Sequence, residues 1–254
     1  VFKLLVPRSV AKADAVICIS RSAAEAAVSR GVPAEKISVI PLAVNDDIFG
    51  TSSREELIHQ LDLPAESKLL LTVGRLVQRK GVEWFIASVL PGLAGQFPGI
   101  VYLVAGDGPA RPDIEAAIAR NHMENHVRLL GRVSPELLAA AYNGVDVFVM
   151  PNIQVPGDME GFGLVLLEAA MCERPIVASS LEGIEEAVQN DKNGKLVHTL
   201  DTETFRKQLE LFLKNSEEAQ AFGKQARQFT QQNYSWPTIA ERYVEIYRRL
   251  DGLQ

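Results

Sequence analysis

From residue 68 to residue 198 the chain repeatedly exchanges a short apolar run for a stretch of helical periodicity. The runs are "KLLLTV" (68–73), "IVYLVA" (100–105), "VRLLG" (127–131), "VDVFVM" (145–150), "PIVAS" (175–179) and "KLVH" (195–198). None shows the regular apolar–polar alternation of a half-exposed strand, so each must be covered on both faces. Helical patterns near 82–96, 111–121, 135–143, 163–172 and 182–190 supply that cover. The alternation predicts an α/β fold built on a Rossmann-like, doubly wound parallel sheet. Such sheets bind ligands outside the carboxyl ends of their strands, which directs attention to the loop after each run.

The flanks follow other patterns. A strand-like "AVICIS" (15–20) leads into a helix starting near Ser20 and ended by Gly31 and Pro33, followed by a second strand, "ISVIP" (37–41). The stretch 41–54, rich in turn formers, reads as a linker. After residue 200 come three helical runs near 202–214, 216–232 and 237–250, the last with Pro237 at a first helical position.

A chain of 254 residues, 47% of them hydrophobic, can build a large core that needs no disulfide or metal. The net charge of −6 argues against a nucleic-acid partner, so any anion site must be local. Cys18 and Cys172 stand among apolar neighbours and read as buried thiols of a reducing compartment. No apolar run approaches the roughly 18–20 residues of a membrane span, and no secretory leader opens the chain. The opening Val1, followed closely by a strand-like segment, suggests part of something longer.

Three loops carry polar chemistry. In "VGRLVQRKGVEWF" (73–85), Gly74 permits a tight turn after a strand, and Arg75, Arg79 and Lys80 precede a helix. Arg offers a fork for two phosphate oxygens and Lys a compact point charge, although a solvated basic loop is the plainer reading of this stretch alone. In "VAGDGPARPDI" (104–114), Gly106 and Gly108 lack the third glycine of a dinucleotide fingerprint, so a turn is expected. In "PNIQVPGDMEGFG" (151–163), Gly161 and Gly163 leave unobstructed amides at a helix start, a ready anion site. Glu160 lies just outside that helix, and Glu168 stands inside it in the apolar run "LVLLEAAM". An ordinary exposed helix glutamate fits those flanks poorly. Two carboxylates beside an anion site suit a ligand carrying both phosphates and hydroxyls, and a nucleotide sugar is such a ligand.

The segments "GRLVQRKG", "LLGRVSPELLAAAYNGVDVFVMP" and "EGFGLVLLEAA", in sequence order, resemble the nucleotide-binding half of retaining glycosyltransferases of the GT-B fold, specifically glycosyltransferase family 4. The resemblance implies that Arg75 and Lys80, beside Gly74, hold the donor diphosphate. Glu160 is implied beside the donor sugar, and Gly161, Phe162, Gly163 and Leu164 offer backbone to sugar and phosphate. Glu168 is implied to take the ribose hydroxyls, and the backbone of Arg132 and Val133 to read the base. Two positions depart from the family pattern: Cys172 is followed by Glu173 rather than Gly, and Glu185 replaces a proline in "GIEE" (183–186). Both are packing or turn positions.

The resemblance also implies a division of the chain. Residues 1–40 match the end of an acceptor-binding domain, 41–54 a hinge, 55–234 the donor-binding domain, and 235–254 a helix returning toward the acceptor domain. Most of the acceptor domain would then lie outside this chain, which alone is expected to be inactive. The implied reaction is metal-independent, retaining transfer of a hexosyl group from a nucleotide-diphosphate sugar to the hydroxyl of a glycan, lipid or small molecule. No Asp-x-Asp motif and no ligand-spaced His/Cys/acid cluster is present, and no cofactor beyond the donor substrate is expected. His59, His122, His126 and His198 have no Ser or Asp partner in register. A cytoplasmic enzyme, in peripheral contact with a membrane through the absent domain, is the matching location. A nucleotide-sugar epimerase and a non-catalytic nucleotide-sugar-binding module share the architecture and stand as alternatives; an NAD-dependent oxidoreductase is disfavoured by the missing fingerprint.

Overall fold

The computed structural model describes residues 9–45 and 52–252. Residues 1–8 of the expected acceptor-domain remnant, 46–51 of the expected hinge and 253–254 of the final segment lie outside the described residues. The six apolar runs become six strands: β3 (Lys68–Val73), β4 (Ile100–Ala105), β5 (Val127–Gly131), β6 (Val147–Met150), β7 (Ile176–Ser180) and β8 (Lys195–His198). They form one parallel sheet in the order β5-β4-β3-β6-β7-β8. Ahead of them, β1 (Val16–Cys18) and β2 (Ile37–Val39) pair in parallel across the helix α1 (Arg21–Val28).

Continuous apolar runs are required because every central strand is covered twice. Along β4, Val101, Leu103 and Ala105 enter one cluster, while Ile100, Tyr102 and Val104 enter the other. The first cluster is closed by α2 (Arg54–Leu61), α5 (Pro135–Gly144), α6 (Leu164–Met171) and α9 (Ser216–Tyr234). The second is closed by α3 (residues 82–96), α4 (Arg111–Arg120) and α8 (Thr202–Lys214). With both faces occupied by helices, a polar ligand can reach the sheet only at its ends. The strand order reverses between β3 and β6, and the crossovers leaving these neighbours diverge to opposite faces, opening a crevice at their carboxyl ends.

Three elements differ from the sequence reading. The helix near 82–96 contains a π turn, Phe85–Val89, in which the amide of Leu90 bonds the carbonyl of Phe85. Pro91 follows at once, and having no amide to offer Ala87 it favours this wider register. The helix expected near 182–190 shrinks to α7 (Ile184–Ala187). The buried Asn193 side chain ends it, donating to the carbonyl of Ala187 and accepting from the amide of Gln189. Conversely, α2 starts inside the stretch read as turn-rich linker. Ser53 and Glu56 form a reciprocal capping box there, and Leu57 drops fully buried onto α5.

The last helix, α10 (Trp236–Leu250), buries Ile239 and Ile246 with Ile40, against Ile17 of β1. The chain therefore passes twice between the two sheets, and the crossings are tied together: the amide of Val44 donates to the carbonyl of Tyr234 at 2.9 Å. Because the Ser53 cap begins a helix whose one buried anchor is Leu57, Ser53→Ala is expected to cost about 1 kcal/mol. A lower urea midpoint with an unchanged slope would show it.

Candidate active site at the carboxyl ends of the central strands

The loops leaving β3 and β6 meet at the crevice. After Val73, Gly74 turns the chain at φ +152°, and a single 3-10 turn, Gln78–Lys80, brings it to Gly81. This loop lies against the one after β6. The amide of Ile153 donates to the carbonyl of Arg79 at 2.9 Å, and a Cβ on Gly81 would fall 1.8 Å from the carbonyl oxygen of Pro151. Gly106 and Gly108 serve the same packing from the β4 side, fitting against the backbone of Gly74 and Leu76. This loop-to-loop packing was not part of the turn reading of the segment.

Lys80 runs back past Gly74, whose missing Cβ would stand 3.4 Å from Lys80 Cε, and ends on Glu160. Its Nζ lies 2.5 Å from Glu160 Oε2, and both residues are buried, at 8% and 7% exposure. The same carboxylate oxygen accepts from Asn152 Nδ2 at 2.9 Å, and Arg79 Nη1 stands 3.6 Å away. Arg79 also reaches Asp158 through Nε at 3.2 Å. Burial pulls the Lys80 ammonium below its usual range, and the Glu160 charge acts in the opposite direction. Two cations and an amide thus converge on one buried carboxylate.

Beyond Glu160 the chain passes Gly161, the buried Phe162 and Gly163, which stands at φ +89° as the N-cap of α6. No side chain caps this helix and no acid occupies its first turn; the amide of Leu166 bonds the carbonyl of Gly163 at 2.9 Å, which leaves the dipole and the amides of Leu164 and Val165 to act on an anion. Phe162 points the other way, into the core, with its ring 6.3 Å from that of Tyr234. Leu164, half-buried, packs on the same cluster. One turn further on, Glu168 accepts from the hydroxyl of Tyr142 at 2.7 Å. Burial raises the Glu168 carboxyl above its ordinary value, and the Tyr142 hydroxyl only partly offsets this. Tyr142, fully buried, is itself pushed well up by burial and by the neighbouring carboxylate.

The structure joins Gly74, Lys80 and Glu160 directly and sets Gly161–Leu164 at the adjoining helix end. Arg75, on the same loop, is exposed, and its side chain makes no hydrogen bond or ion pair among the described residues. Arg132 is likewise exposed and Val133 half-buried; both follow β5, two strands from β3. The sequence reading omitted Asn152, Tyr142 and Asp158. Asn152 could have been flagged, since it stands two residues beyond a strand's carboxyl end. Tyr142 carries no local signal, because its partner is 26 residues away and on another helix. Among the described residues no group of three or more His, Cys, Asp or Glu could hold a metal ion.

A carboxyl whose pKa is raised by folding holds its proton more tightly in the folded state. Its stability contribution is present at acid pH and is lost as pH rises through the folded pKa. Glu168→Gln, which imitates the protonated form, is therefore expected to be more stable than wild type near pH 7.5. The difference should vanish below about pH 4, the ordinary glutamate range. Urea midpoints measured across that range check the sign.

Comparison with known proteins agrees with this fold. The family model for glycosyl transferases group 1 matches residues 53–229, and that for glycosyltransferase family 4 matches residues 1–48. Among curated relatives, the GDP-mannose-dependent alpha-(1-6)-phosphatidylinositol monomannoside mannosyltransferase of Mycobacterium tuberculosis is 28% identical over 224 residues, covering 87% of this chain and 58% of the relative. Sucrose-phosphate synthase from Thermosynechococcus elongatus superimposes with a TM-score of 0.79 at 28% identity, covering 99% of this chain and 62% of that one. HepE from Anabaena, solved in complex with UDP and glucose, superimposes at 0.81 with 22% identity, covering 93% and 64%. The chain spans about three fifths of the curated relatives it matches, with shares of 59%, 62% and 58%. No helix among the described residues is long and apolar enough to cross a membrane. A doubly wound parallel sheet with its polar crevice at the β3/β6 reversal, matched over most of its length by one family model, places the chain in the glycosyl transferases group 1 family, with the α/β architecture of GT-B glycosyltransferases.

Proposed function

We propose that this chain is the donor-binding part of a retaining glycosyltransferase of family 4 that moves a hexosyl group from a nucleotide-diphosphate sugar to an acceptor hydroxyl. The observation that carries the reading is the buried Lys80–Glu160 pair, 2.5 Å apart, at the strand reversal and beside the uncapped start of α6. A cation and a carboxylate are both wanted there by such a donor, one for its diphosphate and the other for its sugar hydroxyls. Arg75, exposed and without a partner among the described residues, completes the grip on the diphosphate. The amides of Gly161–Leu164 meet the same charge from the helix end. Glu168, already accepting one hydroxyl from Tyr142, takes the ribose hydroxyls, and the backbone at Arg132 and Val133 takes the base.

Breaking the anomeric bond places charge on the departing phosphate. Arg75, Lys80 and the α6 amides stabilise it without a metal, and removal of one such preorganised group typically costs about 3–4 kcal/mol of transition-state stabilisation. Glu160 orients the sugar, and the acceptor attacks from the face on which the leaving group departs. The acceptor, a glycan, lipid or small molecule, binds through a domain outside this chain, which also carries any contact with a membrane surface. A cytoplasmic location suits a nucleotide-sugar donor and the two free, buried thiols. Relatives and neighbours name both GDP-mannose and UDP among their ligands, so the donor base is left to experiment.

Calorimetric titration with UDP, GDP, ADP and NAD tests the reading. One nucleoside diphosphate is expected to bind and NAD is not. Arg75→Ala should weaken binding by about tenfold or more while leaving the unfolding midpoint unchanged, since an exposed, unpaired charge contributes little to folding. Lys80→Ala should lose binding and also about 3 kcal/mol of stability, because Glu160 then keeps its burial without its nearest cation. Silence with all four nucleotides, in this chain and in the protein joined to its acceptor domain, would sink the proposal.

A further inference from the structure

The backbone that carries Glu160 is held from outside by the turn following β7. Glu182 adopts φ +48°, a left-handed conformation that a glutamate enters only at a cost. Its carboxylate accepts the backbone amide of Glu160 at 2.6 Å. The amide of the next residue, Gly183, returns to the carbonyl of Glu160 at 3.2 Å. Contact here is close: a Cβ on Gly183 would lie 2.2 Å from the carbonyl oxygen of Gly161. The two segments are therefore clasped by a reciprocal pair of hydrogen bonds, one of them charge-assisted, with no room for either to slide.

We infer that Glu182 is a positioning residue for the donor sugar, fixing through the Glu160 amide the place at which the Glu160 carboxylate meets that sugar. Lys80 and Asn152 hold the Glu160 side chain, and Glu182 holds its main chain. A left-handed glutamate at this position is hard to account for by packing alone, because glycine would occupy the turn without strain. The carboxylate is what glycine would lack. The inference rests on the donor-site reading above, and it concerns the sugar, which meets the Glu160 carboxylate, rather than the diphosphate, which is gripped by Arg75, Lys80 and the α6 amides.

Glu182→Gly and Glu182→Gln separate this role from a structural one. Glycine suits the backbone angle, so relief of strain should offset part of the lost hydrogen bond and Glu182→Gly should remain folded, yet it removes the acceptor. Glutamine keeps an acceptor oxygen and should rescue most of what glycine loses. Two readouts are compared in wild type and both variants: hydrogen-exchange protection of the Glu160 amide, and the ratio of affinities for a nucleotide sugar and its nucleoside diphosphate, using UDP-glucose with UDP and GDP-mannose with GDP. In Glu182→Gly, Glu160 protection should fall and the preference for the sugar nucleotide should drop about tenfold or more, the scale of a lost hydrogen bond to a charged group, with diphosphate affinity retained. An unprotected Glu160 amide in wild type, or an unaltered preference in Glu182→Gly, overturns the inference. If wild type binds none of the four ligands, the donor-site reading fails and this inference falls with it, while the exchange data still report whether the clasp exists.

Discussion

Burial of a parallel sheet on both faces is the constraint from which the rest of this structure follows. The interiors of the central strands are spent mainly on apolar contacts, from Leu69–Leu71 in β3 to Ile176–Ala178 in β7. Polar function is displaced to the loops, and the strand reversal decides which loops have space between them. A parallel sheet with helices on one side only would not produce this arrangement, since its open face would compete as a binding surface. The position of the crevice is thus a consequence of topology, and the residues that line it are the few the topology leaves free to be polar.

Within the crevice the electrostatics are costly rather than comfortable. A buried ion pair is a weak source of stability, because the desolvation of both charges largely cancels their attraction. At Lys80, burial lowers the proton affinity and the Glu160 carboxylate 2.5 Å away opposes it. Glu168 carries a similar cost, being raised by burial although Tyr142 donates to it. Folding alone would be served as well by apolar side chains of equal volume. Cations and carboxylates held close together and braced by neighbouring loops are what the proposed nucleotide-sugar ligand, with its phosphates and hydroxyls, would require.

Much of this was legible along the chain because the signals were local. Strand runs announced themselves by continuous apolarity, the glycine loops by position after those runs, and Glu168 by its mismatch with "LVLLEAAM". Errors arose where a distant or side-chain interaction overrode a local pattern. Periodicity extended the helix past Ala187, yet Asn193 captures the backbone groups that would have continued it. Turn-forming composition hid α2, although "SREE" (53–56) contained the capping box that starts it. The contributions of Tyr142 and Glu182 were invisible, since each acts on a residue more than twenty positions away.

By itself the sequence determined the layer architecture, the strand boundaries to within two residues and the roster of charged residues available near the strand ends. These depend on hydrophobic period and on turn chemistry, which act over a few neighbouring residues. Only the tertiary structure decided how those charges pair: that Lys80 spends itself on Glu160, that Arg75 stays free of any partner among the described residues, that Tyr142 meets Glu168, and that Glu182 clasps the Glu160 backbone. The reason is physical. Pairing is set by the meeting of loops and helices that a parallel sheet brings together from segments about 20 to 80 residues apart in the chain, and distance in space across the sheet has no simple image in distance along the sequence.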